Sequence, residues 1–379
     1  MELRTAQWSP ADGWSAPLPR WDGPATLVLA FGGSALLDDP GPLREVAAAY
    51  PRSCLVGCST AGEIRDDTVC DGTLVVAVAR LEHSRVHLAH ERVDRPADSY
   101  AAGLSLATRL AGREPDLQAV FVLSDGLGVN GSALTAGLFE GTGGRAVITG
   151  GLAGDNDDFA RTWVLADGRP RTAHVSAVGL AGPRLRTGHG SRGGWEDFGP
   201  QRRVTRAEGN VLYELDGQPA LELYKRYLGE RAAGLPATAL LFPLAVRMPG
   251  ARDRELVRTV LAVDEAAQSM TFAGDVPQGS AATLMRASLD RLIGGAHTAA
   301  TLTGAGTGGP TLAVAISCVG RRLLLGRRTE DELEATLTGL PEGTDMVGFY
   351  SYGEIAPIAA GSCDLHNQTM TLTTIAEAP

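Results

Sequence analysis

Three acidic residues each follow a glycine that closes an apolar run: Glu63 after Gly62, Asp155 after Gly154 and Glu354 after Gly353. Two apolar residues and then a short tract of small or polar ones lead to each glycine, as in Leu55-Val56 before Gly57-Cys58-Ser59-Thr60-Ala61-Gly62. Glycine takes a positive φ or lets another backbone approach closely, so the acid after it is turned out of the sheet. Taken singly, each copy is a tight corner. Taken together, they suggest carboxylates gathered around one cleft. There Ser59, Thr60, Glu63, Asp155, Tyr352 and Glu354 would offer hydroxyl and carboxylate groups to an ammonium-bearing ligand, with His366, beside Asn367, as a further polar wall. The competing reading is that these groups satisfy one another in a structural polar core.

The elements before each corner repeat as well. Thr26-Leu27-Val28-Leu29-Ala30-Phe31, Ala119-Val120-Phe121-Val122-Leu123 and Thr311-Leu312-Ala313-Val314-Ala315-Ile316 are apolar runs of strand length, each followed by a helical pattern. The unit is strand, helix, strand, glycine corner, carboxylate. Ser99 is placed to cap a helix over 100–111 whose stripe is Tyr100, Leu104, Ala107 and Ala111. Thr329 and Glu332 fit a capping box before Leu333 and Leu337. Ala166-Asp167-Gly168-Arg169 signals a hairpin. Helices alternate with strands while hairpins intervene, so the expected fold is α/β (α+β), with two related domains of mixed or antiparallel sheets flanked by helices.

An N-terminal leader or edge segment over 1–23, expected to pack through Trp8, Trp14 and Trp21, precedes a first domain over 24–203, whose residues 182–203 form a Gly/Arg-rich connector. A second domain covers 204–379. With 379 residues, 44% of them hydrophobic and a net charge of −10, the chain is an ordinary globular protein with room for two cores and no basic face for nucleic acid. Residues 1–23 lack the apolar stretch of a signal peptide, and no run approaches a membrane span. Cys54, Cys58, Cys70, Cys318 and Cys363 are odd in number and contain no C-x-x-C pair, as expected of a reduced, cytoplasmic protein.

Several motifs imitate known sites. Gly126-Leu127-Gly128-Val129-Asn130-Gly131 matches the dinucleotide fingerprint, yet Ser124 and Asp125 separate it from its strand and the sheet context is mixed, so it reads as a polar helix N-terminus open to an anion. Ser59 sits in a near nucleophile elbow, but strand rather than helix follows it. His83, His87 and His90 lie in a strand pattern and read as solvated edge residues. Cys318 closes a buried strand as a small apolar filler, although Arg321 and Arg322 could lower its pKa.

The chain resembles the FIST family in C-S-T-A-G-E-I at 58–64, G-G-L-A-G-D at 150–155, D-G-x-P-A at 216–220, Y-x-x-Y-L-G at 224–229, F-P-L at 242–244, F-Y-S-Y-G-E-I-A-P at 349–357 and H-N-Q-T-M-T at 366–371. The resemblance runs from about Thr26 to Thr374 and implies paired FIST N and FIST C domains. It further implies a bacterial intracellular signal-transduction sensor, non-enzymatic, that binds a small polar ligand such as an amino acid and acts through a separate protein. The alternative it implies is a haem-binding nitric oxide sensor acting on a histidine kinase or a cyclic-dinucleotide enzyme; His189 would be the axial ligand, with His297 and His366 as rivals. An enzyme using Cys318 or the carboxylates, and a protein–protein scaffold, are the remaining readings.

Overall fold

The protein is described from a computed structural model covering residues 1–379 except 249–254, 305, 307 and 359–361. Each of the three apolar runs is the first strand of a parallel pair: Thr26–Gly32 with Cys54–Ser59, Ala119–Ser124 with Val147–Leu152, and Thr311–Cys318 with Thr344–Ser351. Helices Gly41–Ala49, Gly131–Gly141 and Thr329–Gly339 lie in the crossovers. Beside each first strand runs an antiparallel one, Leu74–Arg80, His174–Ala181 or Met370–Glu377. Beyond that lies a further strand, Glu2–Ser9, Arg85–Arg92 or Leu185–Arg192. The mixed sheets and the repeated unit are thus present, and the units number three.

Each sheet is completed by a hairpin from another unit. The hairpin over 63–70 joins the third sheet, the antiparallel strands Gly353–Ile358 and Ser362–His366 the second, and the hairpin over 164–171 the first. A glycine corner is therefore the point where the chain leaves one sheet for the next. The strands are apolar on both faces because both faces are covered. Leu27, Leu29 and Phe31 point to a shared core with Phe121, Val314 and Phe349, while Val28 and Ala30 face Leu43 and Val46 of the crossover helix. Phe31 and Phe349 bring two of the sheets within 4.9 Å, ring to ring. Burial of each such large side chain contributes about 1.5–3 kcal/mol.

The outer layer departs from the sequence expectations in several places. Glu2–Ser9 makes the N-terminal segment an edge element rather than a leader: it pairs with Leu74–Arg80, and Trp8, Trp14 and Trp21 pack on the first unit's outer core. The expected connector contains a strand, Leu185–Arg192, paired with Met370–Glu377. Its glycines answer to packing: a Cβ on Gly188 or Gly190 would stand 2.0 Å from the carbonyl oxygen of Thr303 or Ala299, where helix Leu289–Thr301 and the turn after it cross the strand. The 203/204 boundary falls inside strand Arg202–Glu208. The described residues within 196–286 instead form an inserted body with its own nine-stranded sheet and core, between the third unit's edge strand and helix Leu289–Thr301. Its entry and exit strands, Glu196–Asp197 and Ala281–Arg286, pair with each other.

In helix Ser99–Arg113 the buried face is Ala102, Gly103, Leu106, Ala107 and Leu110, and Tyr100 is exposed. Gly103 and Gly137 permit the close crossing with Gly131–Gly141, since a Cβ there would meet the carbonyl oxygens of Leu134 and Tyr100 at 2.2 and 2.1 Å. The capping box does not form. Thr329 donates its hydroxyl to the Gly326 carbonyl, and Glu332 is fully buried, paired with Arg321 and accepting hydrogen bonds from Ser317 and Tyr350.

Candidate functional site

The three corners meet. The Ala61 amide donates to the Tyr350 carbonyl, Tyr350 to Gly62, Gly154 to Ser59, and Tyr352 to Leu152, which knits all three turns by backbone hydrogen bonds. Their acids do not occupy equivalent positions. Gly57, Gly150 and Gly348 stand in register with Ala30, Val122 and Ala315, where a Cβ would lie 2.0, 1.8 and 1.8 Å from the neighbouring carbonyl oxygen. The residue after each glycine is paired with an incoming hairpin: Phe349 with Glu63, Gly151 with Glu354, and Cys58 with Val164. Structure thus equates Glu63 and Glu354 with Val164, and leaves Asp155 in an extra loop.

Glu63 and Glu354 serve as latches in their own units. The Glu63 carboxylate accepts from the Thr60 hydroxyl and from the amide and hydroxyl of Thr73, at 2.9 and 2.8 Å. Glu354 repeats this with the Ser351 hydroxyl at 2.6 Å and the Thr369 amide and hydroxyl at 3.1 and 2.9 Å. Thr73 and Thr369 each precede the returning antiparallel strand, so each carboxylate pins the start of that strand. Burial pushes the Glu63 carboxyl up to about 7 and that of Glu354 to about 8, against the hydrogen bonds that lower them. Ser59 is also structural, its Oγ accepting the Trp163 amide at 3.0 Å. Ser59, Thr60, Glu63 and Glu354 therefore form polar supports at the sheet junctions rather than a shared ligand cleft.

Asp155 faces differently. It accepts from the Tyr352 phenol and from the amides of Ala160 and Arg161 at 2.8 and 2.6 Å, which folds residues 156–161 into a loop over Tyr352. Phe159 of that loop stacks on Tyr352, centroids 4.4 Å apart. Burial, followed by the hydrogen bond to Asp155, raises the Tyr352 pKa and keeps the phenol protonated.

Tyr352 and Phe159 open onto a cavity of about 310 Å³ between the second unit and the inserted body. The loop 126–131 lines it from one side, and Asn210, Leu261, Phe272 and the run Ala273–Asp275 from the other. A wider groove of about 740 Å³ lies beside Ala61, Val69, Arg322 and Arg327 and takes Asn156 and Asp157 from the same loop. Neither wall includes Glu63, Asp155 or Glu354. Of the predicted site residues, Tyr352 alone lines the cavity. Asn130, Phe159 and Asp275 were not singled out as site residues, although Ala273-Gly274-Asp275 carries a faint copy of the glycine–acid pattern.

The G-x-G-x-x-G loop cannot cradle a pyrophosphate as such loops do. Asp125 Oδ1 already accepts the Leu127 and Gly128 amides at 2.9 and 2.7 Å, Oδ2 takes the Ala173 amide, and Asn130 caps the helix on Ala133. His189 sits in strand Leu185–Arg192, half-buried and with its pKa lowered by burial, rather than in a flexible connector. His366 Nε2 and His297 Nδ1 lie 3.1 Å from the carbonyls of Ala356 and Ala335, and none of the three lines the cavity or the groove. Cys318 is buried, and burial, with Glu354 nearby, pushes its thiol up to about 12 despite Arg321, so it is a filler and not a thiolate. Among the described residues no cluster of His, Cys, Asp or Glu fits a metal ion, and no helix is long and apolar enough to cross a membrane.

Comparison with known proteins gives a FIST N domain match over residues 26–218 and a FIST C domain match over 220–357. An uncharacterised protein of Methanocaldococcus jannaschii is 30% identical over 201 residues, which span 48% of this chain and 36% of that relative. Two solved structures share a distant likeness. A chorismatase is 10% identical with a TM-score of 0.37, covering 99% of this chain and 98% of its own. A cyanuric acid hydrolase from A. caulinodans is 10% identical with a TM-score of 0.36, covering 93% and 90%.

Proposed function

The chain belongs to the FIST family, whose domains are associated with signal transduction and small-ligand sensing, and from that premise we propose that it is a non-enzymatic sensor holding a small ligand in the cavity between the inserted body and the second unit. The observation that carries this reading is the origin of the walls. Loop 126–131, Phe159 and Tyr352 belong to the three-unit body, and Asn210, Leu261 and Asp275 to the insert. A ligand touching both changes how firmly the two are held together, which is what a sensor needs. Among the described residues the ties across the gap include Asn130 to Asp275 at 3.2 Å, the Asp275 amide to the Ser132 hydroxyl at 3.5 Å, and Arg258 to the Leu365 carbonyl at 2.8 Å and to Asp364 at 3.7 Å. The signal passes to a separate protein, a histidine kinase being the partner class the family suggests.

The test is a thermal-shift screen of small amines, acids and amino acids, followed by calorimetry on Leu127→Trp. Leu127 is exposed at the mouth, so the indole blocks entry while the core stays intact. A screened ligand is expected to lose at least tenfold in affinity; unchanged affinity would move the ligand elsewhere. The exposed rim of Leu127, Phe159 and Leu261 supports a second reading, in which a partner protein's apolar side chain enters the same opening. In that case the screen returns nothing, and Leu127→Trp weakens the partner complex instead.

A further inference from the structure

We infer that the ligand of this cavity is a hydrophobic amine, one cationic nitrogen on an apolar body, and not a zwitterionic amino acid. The inference rests on the cavity being the ligand site and adds the chemistry that site selects. Among the described residues of the wall, Asp275 carries the one charge, and none is Lys, Arg or His. The remaining surface is dominated by apolar groups such as Leu127, Val129, Leu152, Phe159, Leu261 and Leu365.

Asp275 is half-buried. Its Oδ1 accepts one hydrogen bond, from Asn130 Nδ2 at 3.2 Å, and its Oδ2 has no partner among the described residues. A carboxylate in apolar surroundings with one oxygen unmatched is a receptor for a donor, and a cationic donor gains most there. Among the described residues Arg258 lies close by, and it is engaged behind the wall. It lies against Gly274, donates to the carbonyls of Asp275 and Leu365 at 2.9 and 2.8 Å, and pairs with Asp364 at 3.7 Å.

A carboxylate on the ligand would be poorly received. Of the backbone donors near the mouth, the amides of Leu127 and Gly128 are given to Asp125 and the Ala133 amide to Asn130. The Tyr352 phenol donates to Asp155. An acid or a zwitterion would enter with a charged group stripped of water and unmatched, whereas an amine would be matched by Asp275. The site rejects the extra carboxylate in the way a pocket lacking a partner rejects any buried polar group.

Three probes with one aromatic body test this by calorimetry at neutral pH on the full chain: phenethylamine, phenylalanine and phenylacetate. Phenethylamine is expected to bind, phenylalanine at least tenfold more weakly, and phenylacetate not measurably. Asp275→Asn, which keeps the contact with Asn130 and nearly the same shape, should reduce phenethylamine binding at least tenfold, and Asp275→Glu should restore part of it. Equal binding of amine and acid, full binding by Asp275→Asn, or binding of none of the three overturns the inference. The cavity reading is judged apart from this, by whether Leu127→Trp abolishes binding of whichever ligand the screen yields.

Discussion

The Gly62-Glu63 and Gly353-Glu354 corners and the Gly154-Asp155 corner share one sequence cue and have two fates. In the first two the chain turns straight into its borrowed sheet, and the carboxylate folds back to hold Thr73 or Thr369 in its own unit. In the third, residues 156–163 intervene before Val164 takes the equivalent place, and Asp155 organises that detour instead. Where the repeat is kept it builds the frame, and where it is broken a loop reaches an opening. The irregular copy is therefore the one to examine for function.

The contrast can be broken from its rigid side first. Glu354→Ala leaves the Thr369 amide and hydroxyl and the Ser351 hydroxyl buried without an acceptor, and should cost about 3–4 kcal/mol in urea denaturation. A loss below about 1 kcal/mol would mean that the latch is ornamental. Next in size is the pH dependence. Both latch carboxyls have folded pKa values above the unfolded 4.5, so the stability they confer is complete below that value and is lost as pH rises through about 7 for Glu63 and about 8 for Glu354. Unfolding free energies from urea titrations at pH 6.5 and pH 9 should differ by roughly 2–3 kcal/mol, and the double variant Glu63→Gln/Glu354→Gln should flatten that slope. The smallest expected stability effect belongs to the irregular corner. Asp155→Asn gives up the acceptor for the Ala160 and Arg161 amides, at a cost of about 1 kcal/mol, but should weaken a cavity ligand about tenfold by freeing Phe159 from Tyr352. Equal losses of stability at Asp155 and Glu354 would erase the distinction.

Much of the frame was legible because its signals are local. Parallel units follow from apolar runs separated by helical patterns, and the Asp167-Gly168 turn, with φ of 52° and 68°, follows from its residue types. The alignment of Asp155 with Glu63 and Glu354 misled because it counts residues from the glycine, whereas register counts them from the neighbouring strand. The helix 99–113 stripe was misplaced because its contact runs through Gly103 and Ala102, which carry little hydrophobic weight. Glu332 looked like a cap because its true partner, Arg321, lies on a preceding helix, Val319–Leu325. The cavity was the least legible part: Asn130, Phe159, Asp275 and Tyr352 come from four separate segments, and only the fold of the insert against the second unit brings them together.

That insert is attached through a neck in which Glu196–Asp197 and Met285–Arg286 are hydrogen-bonded to each other. Two strands zipped at the base bring the insert's entry and exit to one place, so its far side is held against the second unit by side-chain contacts, and Asp275, bonded to Asn130 beside the mouth, is one of them.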